Sequence, residues 1–266
     1  MKVQWRNKLW RFGAGAAILY LVTGLLLYVF QEQLLFHPET LPPTHVFNFG
    51  QPYTEKNFEV DGRRLNLVQL HPKEKPKGLV LFFHGNRKHV EYYKKYPSLF
   101  TANGYAIWMG DYPRFGKSTG SLTEANLYHD ALFLYKEAVK EFAPAEIIIY
   151  GKSIGTGVAS YLASKVACKA LVLETPYRSI DALSQHYFPV YPRLLNRFHL
   201  PVETYLKEVK APVAIFHGTD DGVVPYSHGK KMAVDNNLEL VTIEGGRHNN
   251  LSAYPLFRNK LDSLLE

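Results

Sequence analysis

The stretch of sequence that decides the fold is Gly-Lys-Ser-Ile-Gly at residues 151–155. An apolar run suited to a strand precedes it, and a run of small and apolar residues suited to a helix follows it at 157–163. A strand that turns this sharply into a helix leaves no room for side chains at the flanks, which favours the two glycines. The turn lifts the hydroxyl of Ser153 clear of the sheet and points the helix N-terminus at whatever the hydroxyl attacks. The pattern predicts a nucleophile elbow; a glycine-rich turn with a solvent-facing serine is the alternative.

Short apolar runs alternate with helical patterns through the rest of the chain. The predicted strands are Asn57–Val60, Leu65–Leu70, Gly78–Phe83, Ala106–Gly110, Glu146–Tyr150, Ala170–Leu173, Val213–Phe216 and Leu238–Ile243. The predicted helices lie near 89–102, 123–142, 154–167, 226–236 and 251–265. Because such alternation builds a mostly parallel sheet with helices on both sides, we expect one α/β domain over residues 55–266. Ligand sites in such sheets gather at the carboxyl ends of the strands.

The first thirty residues differ from the rest. Residues 12–30 carry no charge, and as a helix they would span roughly 28 Å, about the thickness of the hydrocarbon core of a bilayer. Residues 1–11 hold four basic side chains and no acidic one, so we expect them to stay cytoplasmic and the rest of the chain to lie across the membrane. A cleaved signal peptide would be shorter and would end, rather than begin, in small residues. A buried core helix is the other alternative. Residues 31–54 read as an irregular connector.

Charge and cysteine content exclude several classes of protein. Without the four basic residues of the N-terminus, 27 basic residues face 24 acidic ones, which is too mild an excess for nucleic-acid binding. The single cysteine, Cys168, permits neither an internal disulfide nor a zinc cluster, and it reads as a small core residue.

Residues 184–206 interrupt the alternation. They carry an unusual density of large apolar and aromatic side chains broken by three prolines, namely Tyr187, Phe188, Tyr191, Leu194, Leu195, Phe198 and Tyr205. We interpret this insertion either as a lid over an apolar substrate pocket or as an excursion with a small core of its own.

A serine hydroxyl needs a base, and one histidine is placed to supply it. His248 follows the last predicted strand, in a loop that can bring an imidazole over the elbow. His84 lies at the start of the loop after the strand at 78–83, His217 ends a strand, and both are expected to brace backbone. The base in turn needs a carboxylate, and Asp220 and Asp221 stand side by side after the strand at 213–216, so only one of them can reach His248.

A tetrahedral intermediate also needs donors for its oxyanion. One should be the backbone N–H of Ile154, directly after the nucleophile. The other should come from the loop after the strand at 78–83, where Gly85 allows close approach and Asn86 presents its N–H.

Taken in order, these motifs resemble a known family. They are His84-Gly85-Asn86, Asp111-Tyr112 with Phe115-Gly116-Lys117-Ser118 and Gly120, Tyr150 to Gly157, Glu174 to Tyr177, His217-Gly218 with Asp221 and Pro225, and Gly245-Gly246 with His248-Asn249. The chain resembles α/β-hydrolase-fold serine hydrolases and, more narrowly, their membrane-anchored Bem46-like branch with its related depalmitoylating hydrolases. In that family the acid stands four places after the histidine of His-Gly, which selects Asp221 over Asp220.

The resemblance implies a bilayer-anchored serine hydrolase that cleaves esters or thioesters through an acyl-enzyme, with no metal or organic cofactor. Ser153, His248 and Asp221 would form the triad, and an acyl or lipid-like ester would be the substrate. A serine peptidase on the same fold and a non-catalytic scaffold remain alternatives. The chain departs from its relatives in Arg87, Lys88 and Arg114, which either attract an acidic head group or are solvated charges.

Overall fold

An eight-stranded sheet forms the centre of the protein in a computed structural model, which describes the backbone of residues 2–266 and the side chains from Trp10 onward. The strands are β1 Tyr53–Val60, β2 Arg63–Leu70, β3 Gly78–Phe83, β4 Tyr105–Gly110, β5 Ile147–Lys152, β6 Ala170–Glu174, β7 Val213–Gly218 and β8 Glu239–Ile243. Their order across the sheet is β8-β7-β6-β5-β3-β4-β2-β1. Strand β2 pairs antiparallel with both neighbours, and the other pairs are parallel. The expected α/β-hydrolase architecture, with its mostly parallel sheet, is confirmed.

Helices cover both faces of this sheet. They are α1 Lys2–Val29, α2 Gln31–Leu35, α3 Pro97–Thr101, α4 Glu124–Ala138, α5 Gly155–Lys165, α6 Ile180–Tyr187, α7 Val202–Tyr205, α8 Tyr226–Asn236 and α9 Pro255–Leu265. In β3, Leu79 and Leu81 join the core that holds buried residues of α4, α5 and α8, while Val80 and Phe82 join the core that holds those of α3 and α9. Burial on both faces explains why the strands are apolar without a break.

Two predicted helices are broken by proline. The helix expected near 89–102 is wrong as a continuous element, because it consists of a 3₁₀ turn at Val90–Tyr93 and the short α3. The helix expected at 251–265 is likewise a 3₁₀ turn, Leu251–Ala253, followed by α9. Both α-helices begin at a proline, which lacks the N–H needed inside a helix but fits its first position.

The N-terminal helix continues almost directly into a second helix. Residues Trp10–Val29 of α1 are long and apolar enough to cross a membrane. The side chains of most of the predicted basic segment 1–11 lie outside the described residues. Where an irregular connector was expected, α2 follows, and then the two residues His37–Pro38 pair in parallel with Arg87–Lys88. This pairing fixes the segment after α2 beside the loop that holds Asn86.

Candidate active site

The elbow at Ser153 connects β5 to α5 with strained backbone. Ser153 has φ +52°, in the left-handed region that non-glycine residues seldom adopt. Its N–H donates to the carbonyl of Glu174 at 2.9 Å, which ties the turn to β6. A Cβ at Gly155 would collide with the backbone oxygens of Phe83 and His84, so glycine is required there by contact with β3.

Three side chains that are distant in sequence meet above this turn. The Nε2 atom of His248 lies 2.8 Å from the Oγ of Ser153, and its Nδ1 lies 2.8 Å from Oδ2 of Asp221. His248 is 8 % exposed and Asp221 is 7 % exposed, so the pair is shielded while the serine faces a cavity. A proton can pass from hydroxyl to imidazole along this chain, and the carboxylate can hold the imidazolium that results.

The structure brings Asp221, and not Asp220, to the histidine. The Oδ1 atom of Asp221 accepts the N–H groups of Val223 and Val224 at 2.8 Å each, which orients the carboxylate and leaves Oδ2 for His248. Burial disfavours the charge, but hydrogen bonds from His217 and His248 outweigh it and hold the pKa of Asp221 well below its ordinary value. Asp220 is exposed, and its N–H donates to Gly246.

The environment of His248 predicts the pH at which activity is lost on the acidic side. Burial lowers this pKa from its ordinary value, although the hydrogen bond from His248 to Asp221 opposes the shift. A general base must be neutral, so activity should be present above the pKa of His248 and lost as pH falls through it. We therefore expect kcat/KM for a short soluble ester to fall with a midpoint below about 6.5. A midpoint above neutrality, measured over pH 4–9, would contradict this environment.

The two predicted oxyanion residues border the same cavity as the serine. Asn86 is held from both sides, since its side-chain amide donates to the carbonyl of Leu35 at 2.8 Å and its carbonyl accepts the N–H of His37 at 2.8 Å. Among the residues that the structure describes, the backbone N–H groups of Asn86 and Ile154 have no acceptor. Both are therefore free to donate to a substrate oxygen, and both residues line the cavity together with Ser153.

A cavity of about 440 Å³ extends from Ser153 between the N-terminal helices and the insertion, within the size range of small-molecule sites. Its lining is mostly apolar and includes Leu27, Leu34, Leu35, Ile180, Leu183, Tyr187, Phe188, Tyr191 and Leu195. Sequence reasoning left the substrate-binding residues unknown. One signal was available: Tyr20, Gly24, Leu27 and Gln31 are spaced by four, three and four residues, which puts them on one face of a helix.

A second, more open cleft borders the histidine. It is lined by polar and small residues, Asp220, Gly222, Arg247, His248, Asn249 and Asn250. Gly222 and Val223 line both spaces, so the serine and the histidine stand between an apolar cavity and a polar opening.

A buried ion pair lies directly beneath the elbow and was not anticipated. The ammonium of Lys152 donates to Glu174 at 2.9 Å and to the backbone carbonyl of His248 at 2.9 Å. Glu174 is fully buried and also accepts the hydroxyls of Tyr96 and Tyr150. Burial alone would raise the pKa of Glu174, but Lys152 and the hydroxyl of Tyr150 leave the pKa below its ordinary value. The sequence offered one signal for this pair: Glu174 is a charged residue at the end of the otherwise apolar run of β6.

The other polar residues singled out in the sequence lie beside the site. His84 and His217 contact the backbone oxygens of Gly85 and Val224 at 2.7 and 3.0 Å, as expected for bracing rings. Arg114 pairs with Glu32, and Lys88 lies 3.2 Å from Glu39. Neither cation lines the cavity, which favours the interpretation as solvated charges.

Comparison with known proteins gives a consistent set of similarities. The family model described as serine aminopeptidase, S33, matches residues 74–203. Alpha/beta hydrolase domain-containing protein 17C of Xenopus tropicalis is 30 % identical over 197 residues, covering 70 % of this chain and 61 % of that protein. The lysophosphatidylserine lipase ABHD12 of Danio rerio is 32 % identical over 179 residues, covering 58 % and 46 %. The chain thus spans about half to three fifths of the length of these two relatives.

Solved structures agree on the fold. An esterase of Pyrococcus furiosus superposes with a TM-score of 0.68 at 18 % identity, covering 87 % of this chain and 97 % of that one. The esterase Est1E of Butyrivibrio proteoclasticus, with ferulic acid bound, gives 0.63 at 22 % identity, covering 79 % and 96 %. At these identities the superpositions speak for the fold alone.

Proposed function

Because this chain belongs to the α/β-hydrolase superfamily of serine hydrolases, we propose that it is a membrane-anchored enzyme that cleaves carboxylic esters or thioesters through an acyl-enzyme. The observation that carries the proposal is the position of His248, 2.8 Å from both the hydroxyl of Ser153 and the carboxylate of Asp221. Since fold alone does not set function, the proposal depends on this site.

The proposed reaction has two halves. Ser153 Oγ attacks the substrate carbonyl carbon as its proton passes to Nε2 of His248, and Asp221 stabilises the imidazolium. The backbone N–H groups of Asn86 and Ile154 hold the oxyanion, each contributing about 3 kcal/mol to the barrier reduction. His248 then protonates the departing alcohol or thiol, which leaves an acyl-Ser153 ester. A water molecule, deprotonated by His248, hydrolyses that ester and restores the hydroxyl.

The apolar cavity supports an acyl or lipid-like substrate. Its walls offer leucine and aromatic side chains to a hydrocarbon, while the polar cleft beside His248 suits a hydrophilic leaving group. A related protein, ABHD12, is named as a lysophosphatidylserine lipase, in keeping with such a substrate. The apolar helix Trp10–Val29 supports attachment to a bilayer, and the basic residues before it favour a cytoplasmic N-terminus with the catalytic domain on the other side.

Labelling with a fluorophosphonate probe tests the proposed nucleophile. We expect the wild-type protein to be labelled and Ser153→Ala to lose the label completely, because among the described residues no other serine hydroxyl is hydrogen-bonded to a histidine. Ser164→Ala is the matched control, since Ser164 lies on α5 and its hydroxyl donates to the carbonyl of Tyr161. A correctly folded wild-type protein that never labels would instead indicate a non-catalytic scaffold.

A serine peptidase is the second candidate, favoured by the description of the matching family model. Among the described residues that line the apolar cavity, none is acidic, so nothing there pairs with the free ammonium of an aminopeptidase substrate. We expect p-nitrophenyl esters to be cleaved with a kcat/KM at least about 100-fold above that for aminoacyl anilides. Comparable turnover of the two substrate classes would favour the peptidase.

A further inference from the structure

We propose that the membrane helix is itself a wall of the acyl-binding site, and that the cavity of Ser153 opens sideways into the bilayer. The substrate would then be an acyl ester of a membrane-resident lipid whose hydrocarbon chain enters from the lipid phase without crossing water. This proposal rests on the proposed hydrolase function, and it adds the route of entry and the residues that form it.

One face of the N-terminal helix docks on the insertion. The ring of Tyr20 stacks on Tyr191 with centroids 4.8 Å apart, and its hydroxyl donates to the carbonyl of Val190 at 3.0 Å. One turn further, Gly24 is buried, and a Cβ there would lie 3.3 Å from the ring of Tyr191. Large apolar residues on the other faces, such as Leu21 and Leu25, are exposed. One side of the helix therefore contacts the insertion, and the remaining sides are available to contact lipid.

Gln31, the first residue of α2, fixes the chain directly after this helix to the insertion with three hydrogen bonds. Its amide nitrogen donates to the carbonyl of Leu195 at 3.0 Å, and its amide oxygen accepts the N–H groups of Arg197 and Phe198. The side chain is 7 % exposed, so each of these bonds is shielded from water. A buried amide satisfied in this way sets one register between the helix and the insertion.

The contacts with Tyr20 and Gly24 place the insertion inside the membrane layer. At 1.5 Å per residue, Tyr20 lies roughly 13 Å before Val29, the end of the candidate span, and Gly24 roughly 7 Å before it. Val190 and Leu194 of the insertion remain 68 % and 89 % exposed beside this segment. Apolar side chains at that depth would contact lipid instead of water, which removes the cost of exposing them.

The cavity lies between the same two elements. Leu27, Leu34 and Leu35 of the helices line it together with Phe188, Tyr191 and Leu195 of the insertion, and Ser153 and Asn86 line it as well. Since both walls reach the membrane layer, a hydrocarbon chain can pass from the lipid into the cavity. The polar cleft at Arg247 and Asn249 would receive the leaving group.

Bulky substitutions on the face of α1 that packs on the insertion test whether this helix forms a wall of the acyl-binding site. The full-length protein is reconstituted in phosphatidylcholine vesicles, and kcat/KM is measured for a long-chain acyl ester in the bilayer and for a soluble butyrate ester. For Leu27→Trp and Gly24→Leu we expect the ratio of long-chain to short-chain kcat/KM to fall at least about tenfold. Gly15→Leu is the matched control on the same helix, because a Cβ at Gly15 meets nothing within 4 Å, and it should leave the ratio unchanged.

An environment-sensitive fluorophore tests the depth of the insertion. In a Cys168→Ala background, the label is placed at Leu194→Cys or at Val234→Cys, and vesicles contain nitroxide lipids as quenchers. Val234 is also exposed, but it lies near the end of α8, towards the amino edge of the sheet and away from Ser153. We expect strong quenching at position 194 and little at position 234.

The outcomes separate the two proposals. Equal quenching at positions 194 and 234, or an unchanged chain-length ratio in both Leu27→Trp and Gly24→Leu, would overturn entry from the bilayer while leaving the hydrolase intact. A wild-type protein that cleaves neither ester would instead remove the proposed function. Retained fluorophosphonate labelling in each variant verifies that the nucleophile and its base are still assembled.

Discussion

Asp221→Asn is expected to lower kcat about 10⁴-fold while the protein remains folded. The carboxylate accepts the Nδ1–H of His248, which leaves Nε2 as the unprotonated nitrogen that faces Ser153. An asparagine could place an N–H against Nδ1 and so favour the opposite tautomer, in which Nε2 carries the proton and cannot act as a base. Its amide oxygen can still accept the N–H groups of Val223 and Val224, so the loop should keep its conformation.

The neighbouring aspartate supplies the control for this experiment. Asp220→Asn changes the same side chain one residue away, at an exposed position that does not touch the histidine. Steady-state hydrolysis of p-nitrophenyl butyrate and the rate of fluorophosphonate labelling should both collapse in Asp221→Asn and stay within about twofold of wild type in Asp220→Asn. If activity and labelling collapsed in Asp220→Asn and not in Asp221→Asn, Asp220 would be the acid of the triad. Equal losses in the two variants would show that neither aspartate has this role.

Lys152→Met is expected to destabilise the protein by about 3–5 kcal/mol, because it leaves the carboxylate of Glu174 buried without its cation. For a domain of this size that corresponds to a fall in Tm of roughly 6–20 °C. The substitution also removes the hydrogen bond to the carbonyl of His248, so the loop that carries the base should lose order and labelling of Ser153 should slow. Thermal unfolding in detergent and labelling kinetics measure the two effects.

Two further variants separate the buried charge from the loss of a lysine. Lys165→Met breaks an exposed ion pair with Glu208, which solvent screens, and should leave the Tm almost unchanged. Adding Glu174→Gln to Lys152→Met removes the unpaired charge but keeps an oxygen for the hydroxyls of Tyr96 and Tyr150, so the double variant should recover part of the lost Tm. If Lys152→Met lowers the Tm no more than Lys165→Met does, the buried pair of Lys152 and Glu174 does not stabilise the fold.

Local patterns in the chain were enough to predict the sheet and two of the three residues that meet at its carboxyl edge, Ser153 and His248. The strand–turn–helix around Ser153 is a short-range property, because its glycines are required by the turn itself and by the strand next to it. The helix breaks before Pro97 and Pro255 were equally readable from proline chemistry, although we did not anticipate them. The choice of Asp221 over Asp220 came from a family spacing, since two adjacent aspartates look alike in sequence.

The sequence by itself therefore determined the α/β architecture, the elbow, the candidate base and an apolar helix long enough to span a bilayer. It could do so because each depends on the order and spacing of neighbouring residues along the chain. Only the tertiary structure decided which carboxylate meets His248, that Lys152 and Glu174 form a buried pair, and that Tyr20, Gly24 and Gln31 pack on the insertion. These contacts join residues far apart in sequence, and their distances exist only once the sheet has brought their elements together.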